Sequence, residues 1–165
     1  MNEGERAAFL KARRDVFPDD VRQDIKKYEP QLLLWTGIVK GIEFSAQEHL
    51  ARVRVEHHYW DWIEDHSFQR EIAFLSPRGE GLFECLLEFP TAEDALAFKE
   101  HLPPVGDMAI AYGMPLTQDK DGVILLRCVI LRAIKQGYYA TDIMDYGRDF
   151  LLKGDSRDGR ILRVP

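Results

Sequence analysis

Apolar and polar residues alternate in five stretches of the chain, and this pattern predicts five β-strands. Residues 31–44, "QLLLWTGIVKGIEF", are rich in branched and aromatic side chains, and Gly37 and Gly41 mark points where a strand would bend strongly. In residues 50–63 apolar and polar side chains take opposite faces, as in a half-buried strand. The third stretch contains "REIAFL" and "LFECLLEF", which form either one interrupted strand or a hairpin. The fourth and fifth strands are predicted at residues 107–116 and 123–134.

Helical signals occur at the N-terminus and between the third and fourth strands. Residues 4–28 carry apolar residues at helical spacing on both sides of "FPDD", so two short helices are predicted there. The segment 90–104 has Thr91 as an N-cap, acidic residues in its first turn and a double proline at its end. We expect it to form a helix of about three turns.

This order of elements predicts a mainly β fold with flanking helices, in which five strands form a Greek-key barrel like the oligonucleotide/oligosaccharide-binding (OB) fold. A helix between the third and fourth of five strands, after a long first strand bent by glycines, is the layout of that barrel. An open sheet with helices on one face uses the same elements and is the alternative. The expected parts are an N-terminal helical extension at 1–30, the barrel at 31–135, and a C-terminal extension at 136–165 that forms a hairpin.

The charge distribution bears on partners. The net charge is -6, and residues 31–100 carry six Lys or Arg against thirteen Asp or Glu. Because nucleic-acid binding depends mainly on Lys and Arg, a protein or saccharide partner is favoured over nucleic acid. Self-association through the C-terminal extension is a further option.

The chain contains no apolar run long enough for a signal peptide or a transmembrane helix. Two locations stay open. The protein is cytoplasmic as the chain stands, or it belongs to the envelope or periplasm if a leader was removed.

The segment "VEHHYWDWIEDHSF", residues 55–68, concentrates histidines, tryptophans and acids. On a continuous strand Trp60 and Trp62 share a face and lie about 7 Å apart. That spacing suits stacking on bases or sugar rings, while arginines further along the face suit phosphate. The favoured interpretation of the segment is structural: either tryptophan packs under the N-terminal helices or the C-terminal hairpin, and the histidines reach solvent. The predicted ligand-binding residues are Arg52, Arg54, His58, Trp60 and Trp62.

The same segment raises the question of a metal site, with His57, His58, Asp61 and His66 as candidate ligands. The tandem His57 and His58 point to opposite faces of a strand. His57 and Asp61 lie about 13 Å apart along it, which is too far for one metal ion. We therefore predict no metal, cofactor or catalytic residue. A small metal-dependent hydrolase around His57, His58 and His66 is the alternative, and it requires the following loop to fold back over the barrel rim.

Several stretches give the chain a family likeness over residues 31–134. They are "LLLWTGIVKGIE", "LARVRVEHHYWDWIED", "SPRGEGLFECLLEF", and "DMAIAYGMPL" followed by "GVILLRCVIL". They resemble the starvation-inducible outer-membrane lipoprotein (Slp) family of Gram-negative bacteria. The resemblance implies a non-enzymatic envelope protein without catalytic residues. The lipidated cysteine expected at the mature N-terminus of that family is absent from this sequence.

Taken together, these patterns favour a non-enzymatic binding or assembly module that uses an aromatic, acidic-rimmed face of the barrel, with the bacterial envelope as one candidate location. The metal-dependent hydrolase is one alternative. A barrel that binds single-stranded nucleic acid is the other, because aromatic and basic residues share the second strand.

Overall fold

The computed structural model describes residues 3–65, 70–76, 78–134 and 137–139. Within them, short helices precede the first strand, and one helix follows the third strand of a barrel. The helices are α1 (Glu3–Lys11), α2 (Pro18–Gln23), α3 (Ile25–Tyr28) and α4 (Ala92–Lys99). The strands are β1 (Leu33–Ser45), β2 (Leu50–His57), β3 (Trp60–Asp65), β4 (Arg70–Leu75), β5 (Leu82–Glu88), β6 (Met108–Gln118), β7 (Ile124–Ala133) and β8 (Gly137–Tyr139).

Five of these strands close into a barrel in the order β1-β2-β5-β7-β6. β1 pairs antiparallel with β2 and β6, β2 with β5, and β6 with β7, while β5 and β7 run parallel. The third barrel strand therefore lies beside the fifth, and the fourth returns to the first, which is a Greek-key path. The predicted OB-like barrel is confirmed, and the open-sheet alternative is wrong.

Apolar side chains fill the barrel, and α2 and α3 close one of its ends. Val39 and Phe83 have no exposed surface and belong to a single interior cluster. Val21 of α2 is also fully buried and joins the same cluster. The indole N–H of Trp35 donates to the carbonyl of Val16 at 2.8 Å. This bond fixes the chain just before α2 to the beginning of β1.

The predicted helix between the third and fourth barrel strands is α4, and it covers the opposite end. The hydroxyl of Thr91 accepts a hydrogen bond from the backbone N–H of Asp94 at 3.1 Å, as an N-cap does. The ring of Phe98 lies 5.3 Å from that of Phe89, just after β5. The helix is confirmed, although it occupies only Ala92–Lys99 of the predicted segment 90–104.

A second layer covers the outside of β1 and β6. It consists of α1 and a small sheet in the order β3-β4-β8, in which β3 and β4 are antiparallel and β4 and β8 parallel. Glu5 of α1 is buried, and its carboxylate accepts hydrogen bonds from Arg132 at 2.7 Å and from Tyr112 at 3.3 Å. We call this side of the barrel the covered face, and its buried apolar residues are Ala12, Leu34, Trp60, Leu75, Ile110, Tyr112 and Ile134.

The segment predicted as one strand at 50–63 is two strands that belong to different sheets. β2 ends at His57, and β3 begins at Trp60. The backbone N–H of His58 donates to the carbonyl of Thr36 at 3.0 Å, and the Thr36 hydroxyl donates back to the carbonyl of His58 at 2.6 Å. Tyr59 then donates to the carbonyl of Arg78 at 3.1 Å, so the chain leaves the barrel here. "REIAFL" is β4 and pairs with β3, so both predictions that joined it to "LFECLLEF" are wrong.

The two N-terminal helices predicted in residues 4–28 are three, because the helical segment after "FPDD" is interrupted at Asp24, which caps α3. The predicted C-terminal hairpin lies outside the described residues. In the part of the chain that the structure describes, no helix is both long and apolar enough to span a membrane.

Candidate functional site

His57 and Tyr59 take part in a buried polar cluster against α2. The Tyr59 hydroxyl donates to the carboxylate of Glu80, which also accepts from the backbone N–H of Asp19 at 2.8 Å. The backbone N–H of Glu80 donates to Nδ1 of His57 at 3.1 Å. Since that nitrogen accepts a hydrogen bond, it carries no proton and has no lone pair left for a metal ion. Through the bonds of Glu80 to Asp19 and Tyr59, the cluster holds α2 against the barrel.

His58 and Trp60 are also buried, each with 4% of its surface exposed. Nδ1 of His58 donates to the carbonyl of Ser76 at 2.7 Å, because a carbonyl can only accept. Trp60 lies in the apolar cluster of the covered face together with Ala12, which follows α1. The interpretation that a tryptophan packs under the N-terminal helices describes Trp60. The expectation that the histidines reach solvent is wrong, since His57 is only 2% exposed and His58 4%.

The proposed metal ligands do not come together in the described structure. Among the residues that it covers, no three His, Cys, Asp or Glu side chains are grouped so that they could hold a metal ion. The side chains of Asp61 and Trp62, on β3, lie outside the described part, and so does the whole of His66.

The other side of the barrel carries charged side chains that reach solvent. It is formed by the second half of β1, by β2 and β5, and by the first half of β7, and we call it the open face. Register places Arg54 between Gly41 of β1 and Glu84 of β5, and Arg52 between Glu43 and Leu86. The charged residues of the open face are Lys40, Glu43, Arg52, Arg54, Glu56, Glu84, Glu88 and Arg127.

Opposite charges face each other across the strands of the open face. The hydrogen bond from Arg54 to Glu84 raises the pKa of the Arg54 guanidinium, and the bond from Lys40 lowers the pKa of the Glu56 carboxyl. These groups therefore stay charged at neutral pH. The ion pairs are Lys40 with Glu56 at 2.6 Å, Arg54 with Glu84 at 2.6 Å, and Arg127 with Glu88 at 3.0 Å.

A shallow groove of about 200 Å³ lies on the open face where β1 bulges. The pairing register shifts between Val39 and Gly41, and Lys40 in the bulge is exposed. The groove has open space at Gly41, where a Cβ atom would meet nothing within 4 Å. Three cations and two acids line it, so basic side chains are concentrated there in a chain of net charge -6. The lining residues are Lys40, Gly41, Ile42, Glu43, Arg52, Arg54 and Glu84.

Of the residues predicted to bind a ligand, the structure brings Arg52 and Arg54 together in the groove and places His58 and Trp60 in the interior. The sequence interpretation missed Lys40 and Glu84. A signal for Lys40 was present, because a lysine beside a glycine in a strand fits a bulge. Glu84 could not be found in the same way, since its partner lies thirty positions away along the chain.

No protein-family model matches the chain, and no curated protein matches it. The resemblance of residues 31–134 to the Slp family therefore gains no support from these comparisons.

Solved structures do resemble the barrel. One is the small single-stranded DNA-binding protein from Streptomyces coelicolor, with a TM-score of 0.40, 13% identity, and coverage of 63% of this chain and 91% of that one. Another is a deletion mutant of the single-stranded DNA binding protein from Thermus aquaticus, with a TM-score of 0.33, 17% identity, and coverage of 63% of this chain and 50% of that one. At these identities the likeness concerns the fold alone.

These comparisons correct the prediction on partners. A protein or saccharide was favoured over nucleic acid because residues 31–100 are acidic as a whole. The two similar structures are described as single-stranded DNA-binding proteins, so that preference is contradicted. The prediction used an average over seventy residues, which hides the clustering of Lys40, Arg52 and Arg54 around one groove.

Proposed function

We propose that the chain binds single-stranded nucleic acid along the open face, with Lys40, Arg52 and Arg54 contacting phosphates. The observation that carries this proposal is the groove at Gly41 of β1, which Lys40, Arg52 and Arg54 line. OB barrels bind oligonucleotides on the face of their second and third strands, which here are β2 and β5. Lys and Arg supply most of the affinity for a phosphate backbone.

The small number of cations predicts weak and salt-sensitive binding. Each phosphate contact on a single strand contributes about 0.7 to the slope of log affinity against log salt. Raising the salt concentration from 50 to 200 mM therefore lowers the affinity about threefold if the protein makes one phosphate contact. With three contacts the same change lowers it about twentyfold. A dissociation constant of about 1 to 100 µM is the ordinary range for such sequence-independent binding.

The proposal is tested by fluorescence anisotropy with labelled oligothymidylate and oligouridylate. Replacing Arg52 by alanine is expected to weaken binding about threefold to tenfold and to make the salt dependence less steep. Arg6→Ala is the matched control, because it removes the same charge from an exposed position on α1. The absence of any anisotropy change at 50 mM salt and about 100 µM protein refutes the proposal, and so does an equal loss in both variants.

The groove itself is tested at Gly41. Gly41→Gln places a long uncharged side chain in the open space, and we expect it to weaken binding at least as much as the loss of Arg52. Gly41→Ala adds one methyl group that meets nothing within 4 Å, and binding should stay within about twofold of the wild type. Equal binding by both glycine variants would mean that the nucleic acid lies elsewhere on the protein.

Trp62 stays a predicted stacking residue, although its strand, β3, belongs to the small sheet outside the barrel. A base stacked on an aromatic ring contributes about 1–3 kcal/mol, so Trp62→Ala should weaken binding by about fivefold or more. Unchanged affinity in that variant would remove Trp62 from the proposed interface.

The Slp resemblance bears on location and is a separate hypothesis. Its test is the genomic reading frame upstream of Met1. A leader that ends in a lipidation cysteine would support an envelope location, and an immediate in-frame stop codon would remove the argument for one.

A further inference from the structure

The cations of the open face differ in whether a carboxylate already holds them. Lys40, Arg54 and Arg127 each form an ion pair with a glutamate of a neighbouring strand. For Arg52, which is exposed beside them, the described part of the chain gives no ion pair within 4 Å. A phosphate can reach Arg52 directly, whereas it must replace a carboxylate at the other three.

The pair of Arg54 and Glu84 is the one in which this replacement matters most. Both Nε and Nη2 of Arg54 donate to Oε1 of Glu84, at 3.0 and 2.6 Å. A phosphate oxygen would use the same two donors. The Glu84 side chain is only 18% exposed, so the sheet keeps it in place, while the Arg54 side chain is 52% exposed and faces incoming ligand. Both residues line the groove.

We propose that Glu84 competes with phosphate for Arg54. Its carboxylate occupies Arg54 in the free protein and is displaced when nucleic acid binds. This inference rests on the proposed function and adds a regulatory contact to it. When a phosphate replaces Glu84 at Arg54, the carboxylate loses its cationic partner and attracts a counterion. The exchange at Arg54 then releases few ions in total, and Arg52 accounts for most of the salt dependence.

A neighbouring pair provides the matched control. Glu88 lies on the same strand as Glu84 and is paired with Arg127, but both of these side chains are more than half exposed, at 56% and 52%. Neither residue lines the groove. Glu84→Gln and Glu88→Gln remove the same charge from β5, so the difference between them isolates the effect at Arg54.

The experiment measures anisotropy of labelled oligothymidylate at 50 and 200 mM salt for the wild type and both glutamine variants. We expect Glu84→Gln to bind about two- to fivefold more tightly than Glu88→Gln, and its salt slope to be steeper by about 0.7. In an Arg54→Ala background the advantage of Glu84→Gln should disappear, which a double-mutant cycle measures directly. Glu84→Ala repeats the test without an amide that can still accept from Arg54, and thermal melting verifies that each variant is folded.

Equal affinity in the two glutamine variants overturns the inference, because Glu84 would then not compete for Arg54. Weaker binding by Glu84→Gln also overturns it and makes Glu84 a positioning residue for Arg54. In both cases the proposed function stands as long as the loss of Arg52 still weakens binding. If neither the wild type nor any variant binds at 50 mM salt, the proposed function fails and the inference fails with it.

Discussion

Replacing Gly37 by alanine tests how closely β1 and β2 must approach each other to close the barrel. A Cβ atom at this position would lie 2.0 Å from the backbone oxygen of Glu56 and 2.7 Å from a methyl carbon of Val55. The backbone oxygen cannot rotate away, so the two strands must separate where Gly37 pairs with His57. Overpacking costs about 1–3 kcal/mol and sometimes more. The depth of this overlap places the expected loss at about 3 kcal/mol or above, which lowers the melting temperature by about 6–12 °C.

The same strand offers its own control in Gly41→Ala. Four residues further along β1, a Cβ atom would meet nothing within 4 Å, and Gly41 does not have the positive φ that would strain an alanine. This variant should remain within about 1 kcal/mol of the wild type, with a small gain from the stiffer unfolded chain. Denaturant unfolding followed by tryptophan fluorescence measures both free energies. If Gly37→Ala is as stable as Gly41→Ala, β1 and β2 do not approach as closely as described, and the reasoning on barrel closure is refuted.

Two further predictions concern buried titratable groups. Burial inside the barrel, together with the hydrogen bond to Cys128, raises the pKa of the Cys85 thiol well above its usual range. Both thiols are buried, so they should resist iodoacetamide in the native protein and react with it in denaturant. Full labelling of the native protein at the rate seen in denaturant would contradict this. Burial and the neighbouring Glu5 raise the pKa of Tyr112 above its ordinary value of about 10. The folded state therefore keeps this proton to higher pH than the unfolded state, and the free energy of unfolding falls as the pH rises above about 10. An ultraviolet titration should show one late tyrosinate that Tyr112→Phe removes, and titration of that group near pH 10 in the folded protein would count against the assignment.

The barrel was predictable from the sequence because its signals are local. Val53 and Val55 of β2 alternate with outward arginines, and a strand half-buried in a barrel requires this period of two. The helix α4 carries its own N-cap at Thr91, so its start is encoded within four residues. Such local agreement between pattern and fold explains why the order of the elements was sufficient to identify the architecture.

The boundary between β2 and β3 was not predictable in the same way. The alternation continues through His58 and Tyr59, so the pattern alone favours one strand to residue 63. The strand ends at His57 because Thr36 and Arg78 satisfy the backbone of the next two residues. These partners lie about twenty positions away on either side, and no local pattern shows that they will meet it.

The position of the candidate site depends on which outward-facing residues of the barrel a second layer covers. The alternation of apolar and polar residues predicts this only in part. β6 is apolar on both sides: Ala109 and Ala111 point into the barrel, while Ile110 and Tyr112 point outward. A strand with two apolar faces must be covered on its outside, whereas a strand that carries Arg52 and Arg54 outward gains nothing from a cover. Once the strand order is known, the sequence therefore indicates where the open face lies. It does not indicate that Trp60 supplies part of the cover, because the change of sheet after His57 turns that ring away from the arginines. Trp60, predicted as part of a binding platform, thus helps instead to seal the opposite side, and the face proposed to bind nucleic acid is defined by its arginines.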